Sequence, residues 1–232
     1  MIKLSNITKE YKNGVTALSN IDLEIAKGDF VFLVGSSGAG KSTLIKLLLK
    51  EENPTKGNIY FKGKDITNLS NRKIPLLRRD IGVVFQDFRL LPNKTVFENV
   101  AFALEILGTP NKEIRRRVPI ILSLVNLSRR ASSFPEQLSG GEQQRVSIAR
   151  SIVNNPPVLI ADEPTGNLDP ETAWDIMKAL RDVNNRGTTI IMATHAKEIV
   201  DNMRQRVVAL ENGKLLRDDV KGGYEFEIPS VN

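Results

Sequence analysis

The chain has 232 residues, enough for one large or two modest domains with a sizeable core, and its 41% hydrophobic and 26% charged residues are ordinary for a globular protein. It carries no cysteine, which excludes disulfides and cysteine–metal sites and suits a reducing compartment. The formal charge of +6 admits attraction to nucleic acid or anionic lipid, but Arg78–Arg79, Arg115–Arg117 and Arg129–Arg130 have no interleaved aromatics for base stacking; solvated helix faces are the better reading, and no nucleic-acid partner is expected.

The opening segment MIKLSNITKEY, which ends in Tyr11, has no continuous apolar run, so no signal peptide is expected. Ile21–Ile25 (IDLEI) alternates apolar and polar residues, the pattern of a half-exposed antiparallel strand. Asp29–Gly35 (DFVFLVG) reads as a strand buried on both faces. GSSGAGKS follows at once, with Gly35, Ser36, Ser37, Gly38, Ala39, Gly40, Lys41 and Ser42 in order, and Thr43 opens the helix TLIKLLL. This matches G-x-x-x-x-G-K-[ST] between a strand and a helix, the context that a phosphate-binding loop requires. Its glycines let the backbone wrap phosphate oxygens with N–H groups inward. Lys41 adds positive charge at the β- and γ-phosphates, and Ser42 a hydroxyl for Mg²⁺.

Ile81–Phe85 (IGVVF) is the next buried strand, and Gln86 at its end can offer an amide oxygen to Mg²⁺ and its NH₂ to water. From Pro92 to Asn155 the chain reads as nearly all helix. Thr95–Leu107 begins with a Thr95–Glu98 capping box and carries Val96, Val100, Leu104 and Leu107 on one face. Pro119 is expected to kink or restart the following helix, and the apolar stretch Val118–Val125 is far too short to span a bilayer. Ser139 with Glu142 forms a second capping box ahead of a helix with Val146, Ala149 and Val153 on one face. Because Gly140 and Gly141 leave the backbone N–H groups at that start bare, it is a second anion site.

Pro157–Ala161 is a buried strand running into Asp162 and Glu163 beside a ligand crevice. Asp162 is expected to hold Mg²⁺ through water. Glu163 points to the opposite side by strand alternation and can take a proton from an attacking water. Trp174 lies in a helix with Met177 and Leu180 and is expected to pack in the core. Thr188–Ala193 is another buried strand, and His195, the only histidine, sits at its ligand edge. After Gly213 a short strand and a loosely ordered tail are expected. Strands alternating with helices predict an α/β fold with a mostly parallel sheet. The chain 1–232 reads as a single domain, its α/β core made from 1–91 and 156–232 with a helical subdomain at 92–155.

These elements in this order resemble the ATPase cassette of ABC transporters over nearly the whole chain, with LSGGE (Leu138–Glu142) as that family's signature motif. The resemblance implies a P-loop NTPase core of ABC type with an antiparallel β subdomain and an inserted helical subdomain, hydrolysing ATP with Mg²⁺. It implies a homodimer in the ATP state, paired head to tail, in which Ser139, Gly140 and Gly141 of one copy clamp the γ-phosphate held by the other's Gly35–Ser42 loop. By the same match Glu163 resembles the general base, Gln86 the Q-loop sensor, His195 the switch residue, Asp169 the D-loop acid that meets the partner copy, and Tyr11 the aromatic that stacks on adenine. Ala196 departs from the pattern, standing where many cassettes carry an acid.

Val83–Leu104, DEPTGNLDP (Asp162–Pro170) and RDDVKGGY (Arg217–Tyr224) look like the cell-division branch of the family. That branch implies an integral membrane partner resembling FtsX, control of cell-wall hydrolysis, and a cytoplasmic protein peripheral on the inner face of the cell membrane. DEPTGNLD is shared with lipoprotein-releasing and efflux transporters, whose motor is the alternative. Phe88, Leu90 and Leu91 are candidates both for the partner's docking groove and for burial within the helical subdomain.

Overall fold

The computed structural model describes residues 1–224. Its elements begin with β1 (Ile2–Glu10), β2 (Thr16–Ile25), β3 (Phe30–Val34), α1 (Lys41–Leu48), β4 (Lys56–Phe61) and β5 (Lys64–Asp65). There follow α2 (Ile74–Arg79), β6 (Ile81–Val84), α3 (Val96–Glu105), α4 (Asn111–Leu124), α5 (Gly140–Ile152), β7 (Val158–Asp162) and α6 (Pro170–Asn185). The last are β8 (Thr189–Ala193), α7 (Lys197–Met203), β9 (Arg206–Glu211) and β10 (Lys214–Asp219). The chain forms two compact units: the first from Met1–Ser70 and the chain from Ile191 onward, the second from Asn71–Ile190.

In the first unit, β2, β1, β4 and β5 lie in that order as an antiparallel sheet. Leu4 stands opposite Leu23 and Ile59, so the apolar residues of three strands share one face. The alternation expected for Ile21–Ile25 is present, with Ile21, Leu23 and Ile25 buried and the residues between exposed. The register shifts after Leu4, where Asn6 takes a φ of 51° and its N–H donates to Asp22 Oδ1 at 2.9 Å. Gly57 answers that irregularity, since a Cβ on it would lie 2.3 Å from Asn6 O. β3 is buried at every position and runs parallel to β9. β9 and β10 form a hairpin over Asn212 (φ 47°) and Gly213 (φ 75°), the two left-handed residues such a tight turn demands.

The second unit holds the parallel pair β6–β7 and most of the helices. The Thr95 capping box is formed, with Glu98 N–H donating to Thr95 Oγ1 and Thr95 N–H to Glu98 Oε2. Val96, Val100 and Leu104 are fully buried, each contributing about 1.5–3 kcal/mol of apolar burial, while Leu107 is half-buried past the helix end. α5 packs against α3, α4, α6 and β6 and is the hub of this unit.

Two expectations are corrected. α4 runs through Pro119 as one helix from Asn111 to Leu124, so the helix does not restart there; Ile114, Val118 and Leu122 bury a continuous face across the proline, which sits on the exposed side. Trp174 is half-buried; the buried face of α6 is Ala173, Ile176, Met177, Leu180 and Val183. β10 supplies the strand expected after Gly213, and the expected loose tail lies outside the described residues. Among the described residues no helix is long and apolar enough to cross a membrane.

Candidate functional site

In the first unit β3 ends in the glycine loop, whose backbone is left-handed at Gly35 (φ 145°), Gly38 (79°) and Gly40 (109°). Close packing fixes two of these glycines. A Cβ on Gly35 would lie 2.2 Å from Leu210 O, and one on Gly40 would lie 2.7 Å from both Ala17 O and Leu18 Cδ2. Gly38 instead has nothing within 4 Å. Gly35→Ala is therefore expected to cost about 2–6 kcal/mol of stability, strain and overpacking together, against about 1 kcal/mol for Gly38→Ala. Denaturant unfolding of the two variants measures the contrast, and equal losses would contradict it.

α1 begins at Lys41 behind a left-handed Gly40 that gives no side-chain cap, and no acid lies in its first turn. Its first N–H groups thus face outward at the positive end of the helix dipole. Lys41 Nζ folds back over the loop to donate to Gly35 O at 2.6 Å and Ser36 O at 3.0 Å. A glycine cradle, a bare helix start and an ammonium fit a polyphosphate. Tyr11 Oη lies 3.3 Å from Thr43 Oγ1 in the first turn of α1, and Lys9 Nζ sits 5.0 Å from the Tyr11 ring centroid. Tyr11 is half-exposed beside that start.

His195 is exposed at the turn after β8. Buried Thr194 makes that turn: its N–H donates to Leu33 O at 3.3 Å and its hydroxyl accepts from Ala196 N–H at 3.0 Å. Thr194, which the motif reading passed over, is thus what holds the histidine at the tip.

In the second unit, β6 delivers Gln86, whose Nε2 donates to Asn167 Oδ1 at 3.2 Å while Asn167 Nδ2 donates back to Gln86 O at 3.5 Å. A Cβ on Gly166 would approach Gln86 Nε2 to 2.9 Å, so the amide packs closely against that turn. β7 ends at Asp162, and Glu163 takes a left-handed φ of 48°. Glu163 thus lies in a turn beyond the strand, closed by Gly166 N–H donating to Glu163 O at 3.1 Å. Asp162 and Glu163 are both half-buried.

The second helix start is formed as expected. Glu142 N–H donates to Ser139 Oγ at 3.2 Å and Ser139 N–H to Glu142 Oε2 at 2.9 Å, and this backbone bond, with Arg130 beside it, holds the Glu142 carboxyl below its usual range. A Cβ on Gly141 would lie 2.2 Å from Thr172 Cγ2, so Gly141 is needed for α5 to approach α6. Gly140 differs, its nearest neighbour being Leu168 Cδ2 at 3.5 Å. Packing within this chain does not require glycine there. Asp169 caps α6, accepting from Thr172 N–H at 3.0 Å, and Thr172, through its side chain and then this backbone bond, lowers the Asp169 pKa.

Three further residues, unmarked by any motif, fix this unit's loops. Asn99, fully buried on α3, donates to the carbonyls of Leu91, Lys94 and Thr95 and accepts from Leu91 N–H at 2.8 Å. Gln144, fully buried on α5, donates to Pro164 O at 2.6 Å and Phe85 O at 3.4 Å. Arg150, also on α5, donates to Arg89 O at 2.6 Å and Phe88 O at 2.9 Å, and burial pulls its pKa below the ordinary value. Phe88 and Arg89 are both left-handed, with φ of 55° and 50°. Such a conformation costs roughly 1–2 kcal/mol per non-glycine residue.

Phe88, Leu90 and Leu91 are half-buried. A groove of about 530 Å³ opens nearby in the same unit, lined among others by Pro75, Arg79, Phe85, Ile106 and Leu107. Ile106 is 64% exposed there, an apolar side chain that the chain itself does not cover. Of the basic runs, Arg116 and Arg117 pair with Glu113 and Arg130 with Glu142, as solvated helix faces do.

A profile of the family described as ABC transporter matches residues 18–166. The Cell division ATP-binding protein FtsE of Bacillus subtilis is 59% identical over 224 residues, covering 97% of this chain and 98% of its own length. The protein of that name from Mycobacterium tuberculosis is 55% identical over 228 residues, covering 98% and 99%. The one from Escherichia coli is 47% identical over 215 residues, covering 93% and 97%. Among solved structures, the dimeric ATP-binding cassette MJ0796 bound to ADP and Pi in a post-hydrolysis state matches with a TM-score of 0.85 at 38% identity, over 96% of this chain and 100% of that one. The cbiO1 protein from Clostridium perfringens, part of the ABC transporter complex cbiONQ, gives a TM-score of 0.89 at 34% identity, over 95% of this chain and 88% of that one. The profile covers more than half of the chain and the relatives nearly all of it, so this chain belongs to the ABC transporter ATPase family.

Proposed function

We propose that the chain is the ATPase of a cell-division complex. Two copies close head to tail on ATP, reopen after hydrolysis, and so drive a membrane partner of the FtsX type that controls cell-wall hydrolysis. The observation that carries the head-to-tail pairing is Gly140: the start of α5 is bare at a residue where the chain's own packing has room for a side chain. A bare helix start favours an anion, and the γ-phosphate on the partner copy's glycine loop is the anion that a second copy brings. The cassette described above is itself dimeric, which supports pairing of two copies.

The residues divide the work as follows. The Gly35–Ser42 loop and the first turn of α1, Thr43 included, bind the phosphates through N–H groups. Lys41 turns its ammonium from the loop carbonyls to the β- and γ-phosphates. Tyr11 stacks on adenine. Glu163 takes a proton from the attacking water as the water's oxygen bonds to the γ-phosphorus and the bond to the bridging oxygen breaks, which leaves ADP and phosphate. His195, at the tip of its turn, donates to the γ-phosphate, and Asp169, beside the Gly141–Thr172 contact, meets the second copy. Ser42 and Gln86, with Asp162 through water, would hold Mg²⁺; one carboxylate with neutral oxygens suits that ion. Mg²⁺, when bound, neutralises charge on the β- and γ-phosphates.

Residues 92–155 serve as the helical subdomain, set into a core of 1–91 and 156–232. The protein works in the cytoplasm on the inner face of the cell membrane, held there by its partner. The groove beside Ile106, lined by apolar residues and by Arg78 and Arg79, receives the partner's cytosolic helix. Full-length Glu163→Gln protein held with ATP is expected to capture an FtsX-like membrane protein from solubilised membranes. Adding Ile106→Glu should reduce that capture at least tenfold, since a carboxylate in an apolar contact costs more than 1.4 kcal/mol. Capture of a lipoprotein-releasing or efflux permease instead would overturn the cell-division reading and leave the ATPase chemistry standing.

A further inference from the structure

The turn after Gln86 is held in a conformation that its own residues disfavour. Phe88 and Arg89 are adjacent, bulky and both left-handed. Such residues persist only where the surroundings over-determine them, and they gather at functional turns. Here the constraint comes from α5. Arg150 spreads its guanidinium over two consecutive carbonyls, Phe88 O at 2.9 Å and Arg89 O at 2.6 Å. Arg89 in turn lies 3.8 Å from the Phe85 ring centroid and pairs with Asp87 at 3.0 Å. On the other side of Gln86, Phe85 O accepts from Gln144, which also holds Pro164 O in the loop that carries Glu163. Gln86 is thus flanked on both sides by carbonyls tied to one helix, and that helix starts at Ser139.

We propose that Arg150 is a positioning residue for Gln86: its fork pins the Phe88–Arg89 carbonyls, fixes the turn, and so sets where the Gln86 amide oxygen is presented. The function of the pinned turn rests on the reading of Gln86 as a Mg²⁺ donor given above. Arginine suits the task because its planar fork serves two acceptors at once, whereas lysine offers a point charge without that geometry.

The test uses the full-length protein as wild type, Arg150→Lys and Arg150→Met. Hydrogen exchange is read at residues 85–91, and ATP turnover is titrated with Mg²⁺. In Arg150→Met, exchange in 85–91 is expected to rise about tenfold while exchange within α3 and β7 stays as in wild type; Arg150→Lys should fall between. The Mg²⁺ concentration for half-maximal turnover should rise about fivefold or more, with KM for ATP within about twofold. Exchange in 85–91 that stays within about twofold of wild type in both variants overturns the clamp. Raised exchange with an unchanged Mg²⁺ requirement overturns the positioning role. Gln86→Ala, measured alongside, judges the underlying reading separately: an unchanged Mg²⁺ requirement there overturns the assignment of Gln86, and the exchange data alone then decide whether Arg150 holds the turn.

Discussion

Glu163→Gln is expected to lower ATP turnover by about 10²–10⁴-fold while ATP still binds, leaving a dimer that stays closed. The substitution is nearly isosteric, and two features that fix the Glu163 turn belong to the backbone: its left-handed φ of 48° and the bond from Gly166 N–H to its carbonyl. Neither depends on the carboxylate. The amide cannot take up the water's proton, so the chemical step fails in a site that is otherwise intact. The proposed phosphate binding rests on the N–H groups of the Gly35–Ser42 loop and on Lys41, so affinity for ATP is expected to stay within about twofold. Phosphate release under steady state measures the first effect, and sedimentation with and without ATP measures the second. Turnover within about twofold of wild type would remove Glu163 as the base.

Whether a feature could be read from the sequence depended on the range of the interaction behind it. The capping boxes at Thr95 and Ser139 are legible because both partners lie three residues apart on one helix turn, and both formed. The glycine loop is legible for the same reason: its spacing encodes a local backbone path. The buried strands β3, β7 and β8 follow from unbroken apolar runs. The turn at Glu163 is not legible, because alternation along a strand carries no information past its end, and β7 gives way after Asp162 to a residue with a left-handed φ. The continuation of α4 past Pro119 is not legible from local propensity, because it rests on the packed face of Ile114, Val118 and Leu122. Asn99, Gln144 and Arg150 left no signal that spacing could find. Their acceptors are main-chain carbonyls, and a carbonyl has no residue type to read. Asn99 alone offered a hint, as an amide between Val96 and Val100 on a face that is otherwise apolar.

Gly140→Asp is expected to leave the chain folded and able to bind ATP as a single copy, yet to abolish ATP-driven pairing and lower turnover at least a hundredfold. The fold should tolerate the change. The nearest atoms to a Cβ at Gly140 are Leu168 Cδ2 at 3.5 Å and Phe88 Cζ at 3.8 Å, both ordinary contacts. An acid in the first turn of α5 also meets the positive end of the helix dipole, a gain of about 0.3–1 kcal/mol. The pairing should not tolerate it. A carboxylate about 4 Å from a phosphate charge, at an effective dielectric constant near 20, is repelled by about 4 kcal/mol per unit charge, close to a thousandfold in association. Gly141→Ala provides the contrast, because its Cβ would lie 2.2 Å from Thr172 Cγ2 and push on the start of α6 that Asp169 caps. That variant should lose stability as well as turnover, while Gly140→Asp loses turnover alone. Thermal unfolding separates the two, and sedimentation with ATP shows whether a folded Gly140→Asp chain pairs. If it pairs and turns over as wild type does, the start of α5 meets no phosphate, and the second anion site has no part in catalysis.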